Sequence, residues 1–140
     1  MTRADSDEHY VLDLCDLVLG TPCSRQHRFD WLVGDPGRNG SCRRLPVDAY
    51  WPELGLVVEY REKQHNEAVA FFDKPERMTV SGVHRGAQRR LYDRRREQLI
   101  PQHGLRLVII TPTQLDARPN GRLRRSRDHD LEAIRAILGS

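Results

Sequence analysis

The chain is nearly devoid of lysine. Lys63 and Lys74 are its only two, and every other residue among its 23 Lys+Arg positions is arginine. A GC-rich coding bias accounts for the larger share of such usage. Arginine is also the cation that grips phosphate in bidentate fashion. Cysteine is scarce too: Cys15, Cys23 and Cys42 are odd in number and form no CxxC pair, which argues against a disulfide framework and a closely spaced zinc site. Aromatic residues make up 6% of the chain. No apolar run approaches the roughly 20 residues that a membrane-spanning helix needs. The opening residues, MTRADSDEHY, have neither the basic start nor the apolar stretch of a secretion signal. These absences lead to the expectation of a cytoplasmic protein with no membrane partner.

What remains is one domain's worth of chain, 140 residues with 38% hydrophobic and 31% charged side chains and a net charge of +3. Helical spacing of Tyr10, Val11, Leu14, Cys15, Val18 and Leu19 predicts a helix over 7–19, with Ser6 or Asp7 as its cap and Gly20 as its end. Alternation predicts strands over 28–34, 44–51 and 56–62, joined by the turn-rich stretches 35–43 and 52–55 as an antiparallel meander. A helix is expected over 81–102, with Val83, Ala87, Leu91, Gln98 and Leu99 toward one side. The β-branched run LRLVIIT (105–111) reads as a strand buried on both faces. Residues 116–128 read as a basic, flexible loop, and 130–138 as a short amphipathic helix. Phe71 and Phe72 are expected to be buried. The order gives an α/β fold, a central mixed sheet flanked by helices. Its parts are an N-terminal helix (1–20), a core (28–111) and a basic loop with a C-terminal helix (116–140).

Two acidic residues interrupt the apolar strands. On 44–51, Leu45, Val47, Ala49 and Trp51 share one face, while Asp48 and Tyr50 take the other; Glu59 follows Leu56-Val57-Val58 on the next strand. A carboxylate in a core strand is costly unless something compensates it. The turn at 52–55 brings the two strands side by side, and the pairing register decides whether the two acids meet. If they do, they form a hard oxygen site suited to Mg²⁺ or Mn²⁺, able to activate water and stabilise phosphoryl charge. If they do not, they are polar positions on a solvated sheet face. Arg61 and Lys63 share Glu59's face, and of the two only Lys63 can exchange a proton.

The segment LPVDAYWPELGLVVEYREKQH (45–65) resembles the very-short-patch repair endonuclease relatives within the PD-(D/E)xK nuclease superfamily. The matching residues are Asp48, Pro52-Glu53-Leu54, Glu59 and His65, then Asp93, Arg96, Ile100 and Gly104 on the following helix, so the likeness covers about 28–111. It implies a restriction-endonuclease-like fold and a Mg²⁺- or Mn²⁺-dependent deoxyribonuclease acting in DNA repair or defence, with Asp48 and Glu59 as metal ligands. The superfamily lysine stands two residues after the second acid, and this chain has Arg61 there. Lys63, Gln64 and His65 are the candidates for its role. The alternative is a nucleic-acid-binding module that retains the fold without cutting. A nuclease of this size would cut both strands of a duplex as a homodimer.

Arg85, Arg89, Arg90, Arg94, Arg95 and Arg96 crowd one helix, with Asp93 and Glu97 as their acidic neighbours. Arg85, Arg89, Arg90, Arg94 and Arg96 are the candidate contacts to a DNA backbone, against the reading of an ion-paired, solvated helix face.

Overall fold

The computed structural model describes residues 6–62 and 85–139, with the side chain of Arg85 excepted. Four strands, β1 (Ser24–Pro36), β2 (Cys42–Trp51), β3 (Leu56–Tyr60) and β4 (Arg106–Ile110), form one sheet in the order β1-β2-β3-β4. The helices are α1 (Asp7–Leu19), α2 (Arg85–Gln102) and α3 (Arg127–Leu138). β2 and β3 are antiparallel, while β3 and β4 are parallel, so the sheet is mixed. The contacts group into two compact units, one of residues 1–27, 47–62 and 106–140, the other of 28–46 and 63–105. β1 and β2 each run through both.

The first unit holds the larger core. α1 starts where the Ser6 hydroxyl accepts the His9 N–H (3.0 Å), and it stops at Gly20, whose φ of 75° few side-chain-bearing residues adopt. Its Val11, Leu12, Leu14 and Cys15 pack with Ala49 and Trp51 of β2, Leu56, Val58 and Tyr60 of β3, Ile110 of β4, and Ile134 and Leu138 of α3. The alternation on β2 holds: Leu45, Val47, Ala49 and Trp51 are all buried. Trp51 is fully enclosed and donates its indole N–H to the Thr21 carbonyl at 3.0 Å. Pro52–Leu54 make a single 3₁₀ turn closed by Gly55 at φ 58°, which returns the chain into β3.

Three expectations are corrected here. β1 begins at Ser24, four residues before the alternation becomes visible. On β4 only Ile110 is fully buried, Leu107 to Ile109 are half-buried and Arg106 is exposed. Residues 116–126 are not a loose arm. Ala117 and Leu123 pair across a tight turn, and Arg124 bonds the Asp116 carboxylate (2.9 Å) and the Ala117 carbonyl (2.8 Å). Asp7 accepts the Leu123 N–H and the Arg125 guanidinium.

The second unit packs α2 with the hairpin of β1 and β2. Leu32, Leu45 and Ile100 are buried in it. Leu91, expected on the inner side, is 45% exposed. The inward stripe is rotated by one position and runs through Tyr92, Arg96 and Ile100. Arginine can take such places because its stem packs while its head group finds carbonyls. Arg95 donates to the Val33 carbonyl (2.9 Å) and pairs with Asp35 (3.0 Å); Arg96 donates to the Pro46 carbonyl (3.1 Å) and pairs with Asp93 (3.0 Å). Trp31 lies between aromatic neighbours, its ring 3.8 Å from His103 and 4.5 Å from Phe29, both close to parallel. The expected burial of Phe71 and Phe72, and the start of α2 at 81, fall outside the described residues.

Candidate metal centre

The register of β2 against β3 pairs Ala49 with Val58, Tyr50 with Val57 and Trp51 with Leu56. One step farther, that register sets Asp48 opposite Glu59. Both therefore lie on the sheet face away from the α1–α3 core, since Ala49 and Val58 belong to that core. Here the strands no longer exchange backbone hydrogen bonds in the ordinary way. The Asp48 N–H donates to Glu59 Oε2 (2.8 Å), and the Tyr60 N–H donates to Asp48 Oδ2 (2.8 Å). Each carboxylate is held by the strand that carries the other. These charge-assisted bonds offset part of the cost of placing two like charges together, which matters because Glu59 is only 5% exposed.

Two further residues join the pair. The Gln26 side-chain amide lies 3.2 Å from Glu8 Oε2 and 3.5 Å from Asp48 Oδ1, at the outer limit of a hydrogen bond. Gln26 has a φ of 51°, a conformation non-glycine residues seldom adopt and one that often marks functional sites. Sequence reading missed both. Glu8 reads as a favourable acid in the first turn of a helix, and Gln26 precedes the visible alternation of β1. Tyr50 is on the acidic face and its ring meets that of His27 at 4.8 Å.

Arg61 follows β3 directly. It is half-buried, and its N–H donates to the Ile110 carbonyl (2.9 Å), which carries the parallel pairing one residue past Tyr60. Lys63, Gln64 and His65 lie outside the described residues. So does the Arg85 side chain. On α2, Arg89 and Arg94 are exposed, Arg90 is half-buried, and Arg96 is tied to Asp93 and Pro46 with 13% of its side chain exposed. The second unit carries ten arginines against four carboxylates among the described residues, and three of those carboxylates, Asp30, Asp35 and Asp93, are already paired with arginine.

Among the described residues no three His, Cys, Asp or Glu side chains gather closely enough to hold a metal ion on their own. No described helix is long and apolar enough to cross a membrane. No protein-family model matches the chain, and no curated protein or solved structure matches it.

Proposed function

We propose that the chain is a metal-dependent nuclease that hydrolyses DNA phosphodiester bonds, with Asp48 and Glu59 as its metal-binding pair. The observation that carries this reading is the facing of the two carboxylates across β2 and β3 on one side of the sheet. A pair of this kind suits Mg²⁺ or Mn²⁺, because Mg²⁺ commonly takes only one or two protein carboxylates and fills its remaining positions with water and substrate phosphate. Glu8 stands one amide nitrogen away from Asp48, engaged by Gln26 and not close enough to act as a third ligand. When bound, the metal would lower the pKa of water and offset charge on the phosphoryl oxygens.

The residues of the chain divide the remaining work. Asp48 and Glu59 are pre-aligned by the opposite strand's N–H groups, so little reordering is needed on binding. Arg61, at the position where the superfamily has lysine, supplies fixed positive charge to the phosphate but no proton. The exposed Arg89 and Arg94 contribute attraction for a polyanion. The fold offers an α/β frame with a mixed sheet, for which we infer a restriction-endonuclease-like arrangement.

Nicking of plasmid and cutting of single-stranded DNA with Mg²⁺ or Mn²⁺ test the reading. Asp48→Ala and Glu59→Ala are each expected to reduce cutting by about a hundredfold or more, on the scale of removing a catalytic electrostatic group. Absence of cutting by the wild-type protein on both substrates would overturn it. Arg61 favours one second reading, a nucleic-acid-binding module that does not cut. That module would still retain DNA in a gel shift, with no effect of either alanine variant.

A further inference from the structure

A cavity of about 490 Å³ opens in the second unit between the β1–β2 hairpin and α2. Its wall includes Gly34, Asp35, Arg43, Gln88 and Tyr92. We propose that it receives a single nucleoside phosphate unit, a proposal that rests on the reading of the chain as one that acts on nucleic acid.

Tyr92 is fixed from three sides. Its hydroxyl oxygen accepts the Asp35 N–H (3.0 Å), and the Gln88 amide reaches the same oxygen at 3.4 Å. The Arg95 guanidinium carbon stands 5.3 Å from the ring centroid. Gly34 lets the ring come close: a Cβ at that position would lie 2.9 Å from the Tyr92 hydroxyl and 3.0 Å from Cζ. A half-exposed aromatic ring held this firmly loses little freedom when a base stacks on it.

The polar groups beside it suit the rest of a nucleotide. Asp35 is paired with Arg95, which offsets its charge toward a phosphate. Arg43 is exposed and forms no ion pair among the described residues, which leaves its guanidinium available for phosphate oxygens. The Gln88 amide offers both a donor and an acceptor to a base edge. The volume falls within the range of small-ligand sites. The arginine excess of this unit favours an anion over a neutral or cationic ligand.

The test measures binding to the full chain in EDTA, so that it does not depend on cutting at Asp48 and Glu59. One probe is a single-stranded oligonucleotide carrying 2-aminopurine, whose fluorescence falls on stacking; the other is AMP. Tyr92→Leu and Arg43→Gln are each expected to weaken oligonucleotide binding by about tenfold, with Tyr92→Phe close to wild type. Parallel loss of AMP binding would identify a site that also accepts free nucleotide. An effect on the oligonucleotide alone would identify a unit within a chain. Melting curves establish that the variants fold, and Arg43→Gln decides if Tyr92→Leu does not. Wild-type affinity in both variants overturns this site and leaves the nuclease reading standing. Oligonucleotide binding that is absent from the wild type also overturns this site, and the nuclease reading is then decided by the cutting assay alone.

Discussion

Asp48 and Glu59 face each other where β2 and β3 leave off pairing, and each carboxylate accepts an N–H from the strand that bears the other. The sheet thus ends its ladder on side chains rather than carbonyls. Two anions are kept close by donors that belong to the backbone and cannot move away independently. Two like charges so placed repel each other, a cost that a bound cation would relieve under the proposed function.

That cost yields the first prediction. Asp48→Asn and Glu59→Gln keep an acceptor for the backbone N–H and remove one of two neighbouring charges. Each is expected to raise the melting temperature of the metal-free protein by a few degrees, about 1 kcal/mol. Each should also weaken Mn²⁺ binding by about tenfold or more in calorimetric titration. A lower melting temperature together with unchanged Mn²⁺ affinity would contradict the assignment.

Salt dependence addresses the arginines of α2. If Arg89 and Arg94 each meet a phosphate, replacing both with glutamine should lower the slope of log K against log salt by about 2. Fluorescence anisotropy with a labelled duplex across a salt series measures it. Arg96, bound to Asp93 and the Pro46 carbonyl, should behave differently: Arg96→Gln is expected to cost stability, by about 1–3 kcal/mol.

Burial pushes the Cys15 thiol up to about 12 and that of Cys23 to about 11, from an ordinary value of 9.0. Burial also raises the phenols of Tyr10 and Tyr60. The folded chain keeps these protons to higher pH than the unfolded chain does. Their contribution to stability is therefore complete below about pH 9 and is lost as pH rises toward about 12. Urea midpoints should fall between about pH 9 and about pH 12. In the same range a thiol reagent should modify the exposed Cys42 first and spare Cys15 until the protein unfolds.

Trp51 gives the last prediction. Trp51→Phe removes the bond to the Thr21 carbonyl and leaves a void in the core of the first unit, at a cost of about 2 kcal/mol. Thermal unfolding measures it, and a shift below one degree would argue that the core closes around the smaller ring.

Much of the acidic face was legible in the sequence because period-two alternation is a local signal. Leu45, Val47, Ala49 and Trp51 mark the buried side of β2, and the turn at Pro52 to Gly55 sets the two strands side by side, while the register that brings Asp48 opposite Glu59 is visible only in the fold. Glu8 and Gln26 were not legible. Their meeting with Asp48 depends on the folded arrangement, and a φ of 51° has no sequence mark outside glycine. The stripe on α2 was misread because hydrophobicity alone puts Leu91 inside and arginine outside, whereas Arg95 and Arg96 find carbonyl acceptors that a periodicity count does not contain. Residues 116–126 looked loose for a related reason: Arg125 and the Leu123 N–H are held by Asp7, more than a hundred positions away.

That long reach has a consequence for how the chain acquires its structure. Asp7 binds Leu123 and Arg125, and the Tyr10 hydroxyl donates to the buried Asp130 carboxylate at 2.6 Å, across sequence separations of 116 to 120 residues. Part of what holds α1 therefore lies more than a hundred positions farther along the chain. Loops of this span make folding slow relative to a chain built from local contacts.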